Sequence, residues 1–173
     1  SVMLIVSPGC CGRNTSVLSS MRAYQDRFYY LLMDETDIVT GMHLKKIPKA
    51  VAEICEGLKK KPSVVMICIT CVDALLGTDM ERVCHKAEEY AGVPVRPCYM
   101  YALTREGRKP PMVHVRQSVY SLLEPKKKKG NVVNLLGYFS PLTDDCELYD
   151  LLHSAGIKTI HEISRCRDFE EYK

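Results

Sequence analysis

Ser63-Val-Val-Met-Ile-Cys-Ile-Thr-Cys71 runs without a break into Val72-Asp-Ala-Leu-Leu-Gly-Thr-Asp79, and the fold class follows from that junction. The span 63–70 is an apolar run rich in β-branched residues, the pattern of a strand buried on both faces. A charged, helically spaced pattern from Asp73 to Tyr90 follows, with Leu75, Leu76, Met80, Val83 and Ala87 as its inner stripe and Gly92 as its stop. Strand into helix is the repeating unit of a parallel sheet. Cys71 falls at the strand's carboxyl end, where open α/β sheets place their ligands. Cys68 lies within the strand and faces the opposite way, because side chains alternate along a strand. A shared metal or a disulfide between Cys68 and Cys71 is therefore not expected, despite their thioredoxin-like spacing.

Upstream, Val2–Ser7 is a short apolar strand closed by Pro8-Gly-Cys-Cys-Gly12, a breaker cluster that brackets two thiols. A helix capped by Asn14 or Thr15 is expected next, then a strand at Phe28–Leu32 and a short extended piece from Thr36 to Gly41. Leu44 to Leu58 has helical spacing. Downstream, Val93–Tyr101 reads as a strand interrupted by Pro94 and Pro97, residues 104–111 as a polar loop, and Val113–Leu123 as a helix. Lys126–Gly130 is a basic linker. Beyond it, strand Val132–Tyr138, helix Asp144–Ser154 and strand Ile157–Ile163 form a second βαβ unit, and another helix begins near the end. The expectation is a doubly wound, mostly parallel, Rossmann-like α/β domain over 1–125, a linker over 126–130, and the start of a second α/β domain over 131–173. The chain reads as the N-terminal fragment of a longer protein.

The 173 residues are 46% apolar and 26% charged, with a net charge of +3. Four positive charges sit together at Lys126–Lys129, and the remainder is close to neutral, so no nucleic-acid footprint is indicated. No apolar run approaches the roughly 18–20 residues that span a bilayer, so no membrane is expected. The nine cysteines are odd in number, irregularly spaced and mostly set in apolar segments. That argues for free thiols in a reducing cytoplasm over a secreted disulfide scaffold.

No glycine-rich dinucleotide loop, phosphate loop, serine elbow or zinc-spaced histidine pair is present. His85 and His153 sit inside helices and His114 starts one, positions at which solvation or packing is the default. Asp73 reads as a helix cap. The thiols differ, because parallel strands present their carboxyl ends along one edge. Cys10 and Cys11 end the first strand, Cys71 ends the central one, and Cys98 lies late in another. Two or three of them can converge there, where soft thiolates suit an iron–sulfur cluster or zinc. Cys55, Cys84, Cys98, Cys146 and Cys166 are read as packing residues, since free cysteine is among the most buried residue types.

Several stretches together resemble the nitrogenase component 1 type oxidoreductases. These are Ser7-Pro-Gly-Cys10, Asp34-Glu-Thr-Asp-Ile-Val-Thr-Gly41, Ile69-Thr-Cys-Val-Asp-Ala-Leu-Leu-Gly-Thr-Asp79, Asn131-Val-Val-Asn-Leu-Leu-Gly137 and Asp144–Leu152 leading to Gly156-Ile157. The resemblance implies an iron–sulfur cluster (4Fe–4S or the larger P-cluster) at the interface with a homologous component 1 subunit. It also implies an ATP-dependent iron–sulfur reductase that docks and donates electrons. Gly9-Cys10 and Thr70-Cys71 match the family's ligand motifs, which makes Cys10 and Cys71 the implied cluster ligands. A further family cysteine lies upstream of the first strand, and Cys11 is its candidate substitute. The implied function is a reductase subunit that relays electrons. A non-catalytic scaffold for metal-cofactor assembly is the alternative within the same fold, and a plain α/β domain with packing cysteines is the second alternative. The catalytic residues and the substrate are not implied.

Overall fold

The computed structural model describes residues 1–21, 25–99, 110–127, 130–137 and 140–173. Alternation in β1 (Val2–Ser7) sets the layers: Leu4 and Val6 face one side of the sheet and Ile5 the other. β1 pairs in parallel with β2 (Phe28–Leu32) on one side and with β3 (Val65–Ile69) on the other, and β3 pairs in parallel with β4 (Val95–Tyr99). The strand order is β2-β1-β3-β4. Pro97 lies within β4, an edge strand, where a missing N–H donor is tolerated.

Helices cover both faces, as the doubly wound expectation requires. α3 (Met42–Gly57) and α5 (Met80–Ala91) pack on the first face, where Ile47, Val51, Met80, Cys84 and Ala87 meet Leu4, Val6, Val65, Ile67 and Ile69. α1 (Gly9–Met21) lies over the second face at β1 and β2: a Cβ on Gly12 would sit 3.0 Å from Ser7 Oγ and 3.7 Å from the Tyr30 ring. The absence of that carbon lets α1 approach the sheet closely. α6 (Pro111–Tyr120) covers the same face nearer β4, with Val115 against Cys68 and Cys98.

Several expected boundaries shift for local reasons. α1 starts at Gly9, so Cys10 and Cys11 lie in its first turn, with the N–H groups of Cys11 and Gly12 donating to the Pro8 carbonyl. The piece expected to be extended is a helix, α2 (Glu35–Thr40). The Asp34 carboxylate caps it by accepting from Asp37 N–H, and Gly41 ends it in the left-handed region at φ 67°. The single helix expected from Asp73 to Tyr90 is two. α4 (Cys71–Leu76) stops at Gly77 (φ 65°), and α5 restarts behind Asp79, whose side chain accepts from Arg82 N–H. Leu75 and Leu76 consequently leave the inner stripe and stand exposed. The polar loop at 104–111 lies outside the described residues up to 109, and α6 begins at its far end. Residues 100–101 of the expected fourth strand, 128–129 of the linker and 138 of the fifth strand also lie outside them.

The chain divides into one unit over Ser1–Ser121 and another over Leu122–Lys173. The second holds β5 (Val132–Leu135), α7 (Glu147–Ser154) and β6 (Thr159–Glu162), with the two strands parallel, and it ends in α8 (Phe169–Tyr172). Its polar hub is Glu162. That carboxylate accepts from Leu142 N–H (2.8 Å), Tyr149 Oη (2.6 Å), Ser164 Oγ and Arg165 Nε (3.0 Å). Burial pushes its pKa up, but the donors from Ser164, Tyr149, Leu142 and Arg165 outweigh it and hold the carboxyl down at about 2. A depressed carboxyl stabilises the fold above its unfolded value and stops doing so as pH falls through its folded value. Acid titration should therefore weaken this unit between pH 4.5 and about 2. Glu162→Gln should weaken it at neutral pH and flatten that acid dependence, as read by hydrogen exchange of β5 and β6 amides. An unchanged acid profile in the variant would remove Glu162 from this role.

Candidate metal centre

The chain leaves β1 through α1 toward β2, and leaves β3 through α4 and α5 toward β4. The connections therefore diverge between β1 and β3, and the crevice above those two strand ends is the topological switch point, where open α/β sheets bind ligands. Every thiol assigned to the centre flanks it. Cys10 and Cys11 follow β1 in the first turn of α1, and Cys71 follows β3 as the first residue of α4. Cys71 is thus a helix-opening residue, and no longer the end of the strand.

Cys10 is exposed, Cys11 and Cys71 are half-buried, and the Cys10 and Cys11 sulfurs lie 3.9 Å apart. Burial raises the Cys11 thiol above its ordinary value, followed by the hydrogen bond and charge of Cys10 and the charge of Cys71. Cys10 and Cys71 are thus both near enough to act on Cys11. Ser7 is the last residue of β1, and Thr70 follows β3 as the N-cap residue of α4. The hydroxyls of both are buried with no hydrogen-bond partner. Partnerless buried hydroxyls are uncommon. Among the described residues, no three Cys, His, Asp or Glu side chains are gathered tightly enough to hold a single metal ion. The softness of these thiols suits iron–sulfur chemistry or zinc.

Cys98 does not join them. It is the registered partner of Cys68 and is buried on the second face of the sheet, below the crevice. Cys55 and Cys84 are buried in the main core, as packing residues should be. Asp73 is not a cap either. It is the third residue of α4 and 1% exposed, and its Oδ1 contacts His43 Nε2 at 3.0 Å and accepts from Thr78 Oγ1. His43, also 1% exposed, donates from Nδ1 to the Asp37 carbonyl at 3.0 Å. Both ring nitrogens face acceptors, so the His43–Asp73 contact carries a buried proton of its own. The pair fastens α3 to the first turn of α4, two residues beyond Cys71. His43 and Asp73 are 30 residues apart and carry no local signal of their pairing; only the three-dimensional structure joins them.

Over residues 1–173 the sequence matches the family described as nitrogenase component 1 type oxidoreductase. The chain belongs to that family. Among component 1 relatives, the nitrogenase iron-molybdenum cofactor biosynthesis protein NifE of Rhizobium meliloti (strain 1021) is 31% identical over 72% of this chain and 26% of its own length. NifE of Nostoc sp. (strain PCC 7120) is 30% identical over 82% of this chain and 29% of its own. The nitrogenase molybdenum-iron protein alpha chain of Methanosarcina barkeri is 42% identical, but over 38% of this chain. The component 1 fold is also found in the solved structure titled "Nitrogenase Cp1 at pH 6.5", which matches 94% of this chain and 37% of its own with a TM-score of 0.61 at 20% identity. The chain spans about a quarter to a third of the length of the NifE relatives it matches and 12% of the alpha chain. Among the described residues no helix is long and apolar enough to cross a membrane.

Proposed function

We propose that this chain is the cluster-bearing part of a component 1 type subunit. In this reading Cys10 and Cys71 are thiolate ligands of an iron–sulfur cluster, with Cys11 as the third candidate, at the interface with a homologous subunit. The observation that carries it is the placement of all three thiols directly after β1 and β3, at the switch point between them. When bound, the cluster would supply a one-electron store that can be filled by an ATP-dependent iron–sulfur reductase and emptied toward a substrate or cofactor site.

The chain's own residues prepare that edge. The first turns of α1 and α4 hold Cys10 and Cys71 on adjacent strand ends. The left-handed Gly77 ends α4 after one short helix, and the Asp79 cap starts α5. Cys10 faces solvent on the described chain, as a ligand shared with a partner surface would.

A second reading is favoured by the relatives that are named cofactor biosynthesis proteins. In it the same edge serves a metal-cofactor assembly scaffold that turns over no substrate. With cognate reductase, ATP and dithionite, the relay reading expects substrate turnover by the complete protein, and the scaffold reading expects none.

Both readings share one prediction. The complete protein, prepared without oxygen, should be brown and contain iron with acid-labile sulfide. Cys71→Ala should abolish most of that iron, while Cys84→Ala, in the core away from the crevice, should retain it. Colourless, iron-free protein from such a preparation would rule out the cluster assignment.

A further inference from the structure

β3 and β4 bring together two thiols that the crevice does not use. Cys68 and Cys98 are registered partners in the parallel ladder, so their side chains leave the same face of the sheet. They are 2% and 6% exposed and form one buried cluster with Ile5, edged by Met66 and Val115. Neighbouring strands run about 4.8 Å apart, within the roughly 4.4–6.8 Å Cα separation that a disulfide spans. Registered cysteines on adjacent strands thus fall within the Cα range of such a bond.

The sulfurs also differ in character. A hydrogen bond with Cys98, followed by burial, pushes the Cys68 thiol far up, and the same hydrogen bond holds Cys98 below its ordinary range. Cys98 is the sulfur better able to act as a nucleophile.

We propose that Cys68 and Cys98 are a redox dithiol, converted by a peroxide into a disulfide that ties β3 to β4. The Cys98 sulfur attacks one peroxide oxygen, the O–O bond breaks, and one water leaves as Cys98 becomes a sulfenic acid. The Cys68 sulfur then attacks Cys98, the S–O bond breaks, the S–S bond forms, and the Cys68 proton departs with the hydroxyl as a second water. Two thiols lose two electrons and two protons, and one peroxide becomes two waters. The bond would form in the strand that delivers Cys71 to the crevice, yet it draws on no cluster ligand and is independent of the function proposed above.

The test is a disulfide map of the folded wild-type chain. Reduced protein is titrated with hydrogen peroxide until the exposed Cys10 is fully oxidised. It is then unfolded, alkylated and digested without reductant. The expected product is one peptide pair joined through Cys68 and Cys98, which separates on treatment with a phosphine reductant. Cys98→Ser should lose the pair and leave Cys68 alkylated. Recovery of both residues as alkylated free thiols at that dose overturns the proposal, and so does Cys68 joined to any other cysteine. The wild-type map decides the matter even where the variant folds poorly.

Discussion

Replacing His43 by alanine is expected to lower the stability of the first unit by about 3–5 kcal/mol, the range for removing one partner of a buried ion pair. His43 and Asp73 are each 1% exposed, and their contact is 3.0 Å. Without the imidazole, Asp73 keeps only the Thr78 hydroxyl on Oδ1, and its Oδ2 is already buried without a partner. A carboxylate in that position has lost nearly everything that balances its desolvation. Asp73→Asn should be milder than Asp73→Ala, because an amide N–H can donate to a neutral imidazole and keep the contact. The double change His43→Leu with Asp73→Leu should recover much of the loss, since apolar replacements of a buried pair are often neutral. Urea unfolding of the four variants measures this directly. A loss below about 1 kcal/mol for His43→Ala would show that the pair is not closed in solution, because surface pairs contribute only that much. Cys71 gives a local readout: its alkylation rate should rise in His43→Ala, since α4 loses its fastening to α3.

Ile69→Ala should have the next largest effect, about 2–5 kcal/mol, the range for truncating a well-packed aliphatic residue. Ile69 is the last residue of β3, 1% exposed, and part of the core shared with α3 and α5. Truncation removes its own burial and leaves a cavity that a close-packed interior does not refill. Ile69→Val should cost about 0.5–1.5 kcal/mol and serves as the graded control. The midpoint of urea unfolding should fall while the slope stays constant. An effect as small for alanine as for valine would mean that the end of β3 is loosely packed, which would also weaken the case for a rigid platform under Cys71.

The parallel sheet was legible because β1, β3 and the strands beside them obey a single rule: continuous apolar runs belong to strands covered on both sides. Cys10 and Cys71 were legible as edge residues for the same reason, since the ends of those runs are visible. The helix break at Gly77 was not read, although its signals are local. Leu75, Leu76, Met80, Val83 and Ala87 fit a single helical stripe, and that periodicity concealed a glycine stop followed by an aspartate cap. Thr36–Gly41 was misread in a related way. Ile38 and Val39 look strand-like, but the Asp34 cap and the glycine at φ 67° close a helical turn around them. Asp73 lay beyond local rules altogether. Three residues after Thr70 it has the appearance of a capping residue, and only the approach of α3 gives it His43. Cys98 illustrates the same limit, because its place in a strand was readable while the face it occupies depended on the register with β3.

Pro97 has a consequence for how this sheet meets other chains. An exposed edge strand offers a row of N–H and C=O groups on which a foreign strand can add, and natural proteins blunt such edges with proline. β4 is an edge of the sheet, and residue 97, at its centre, has no N–H to offer. A ladder growing outward from β4 would be interrupted halfway along its five residues. The opposite edge, β2, has the sequence Phe-Tyr-Tyr-Leu-Leu and no proline. Among the described residues, β4 is the margin guarded against runaway strand addition by its own covalent structure, and β2 carries no such guard.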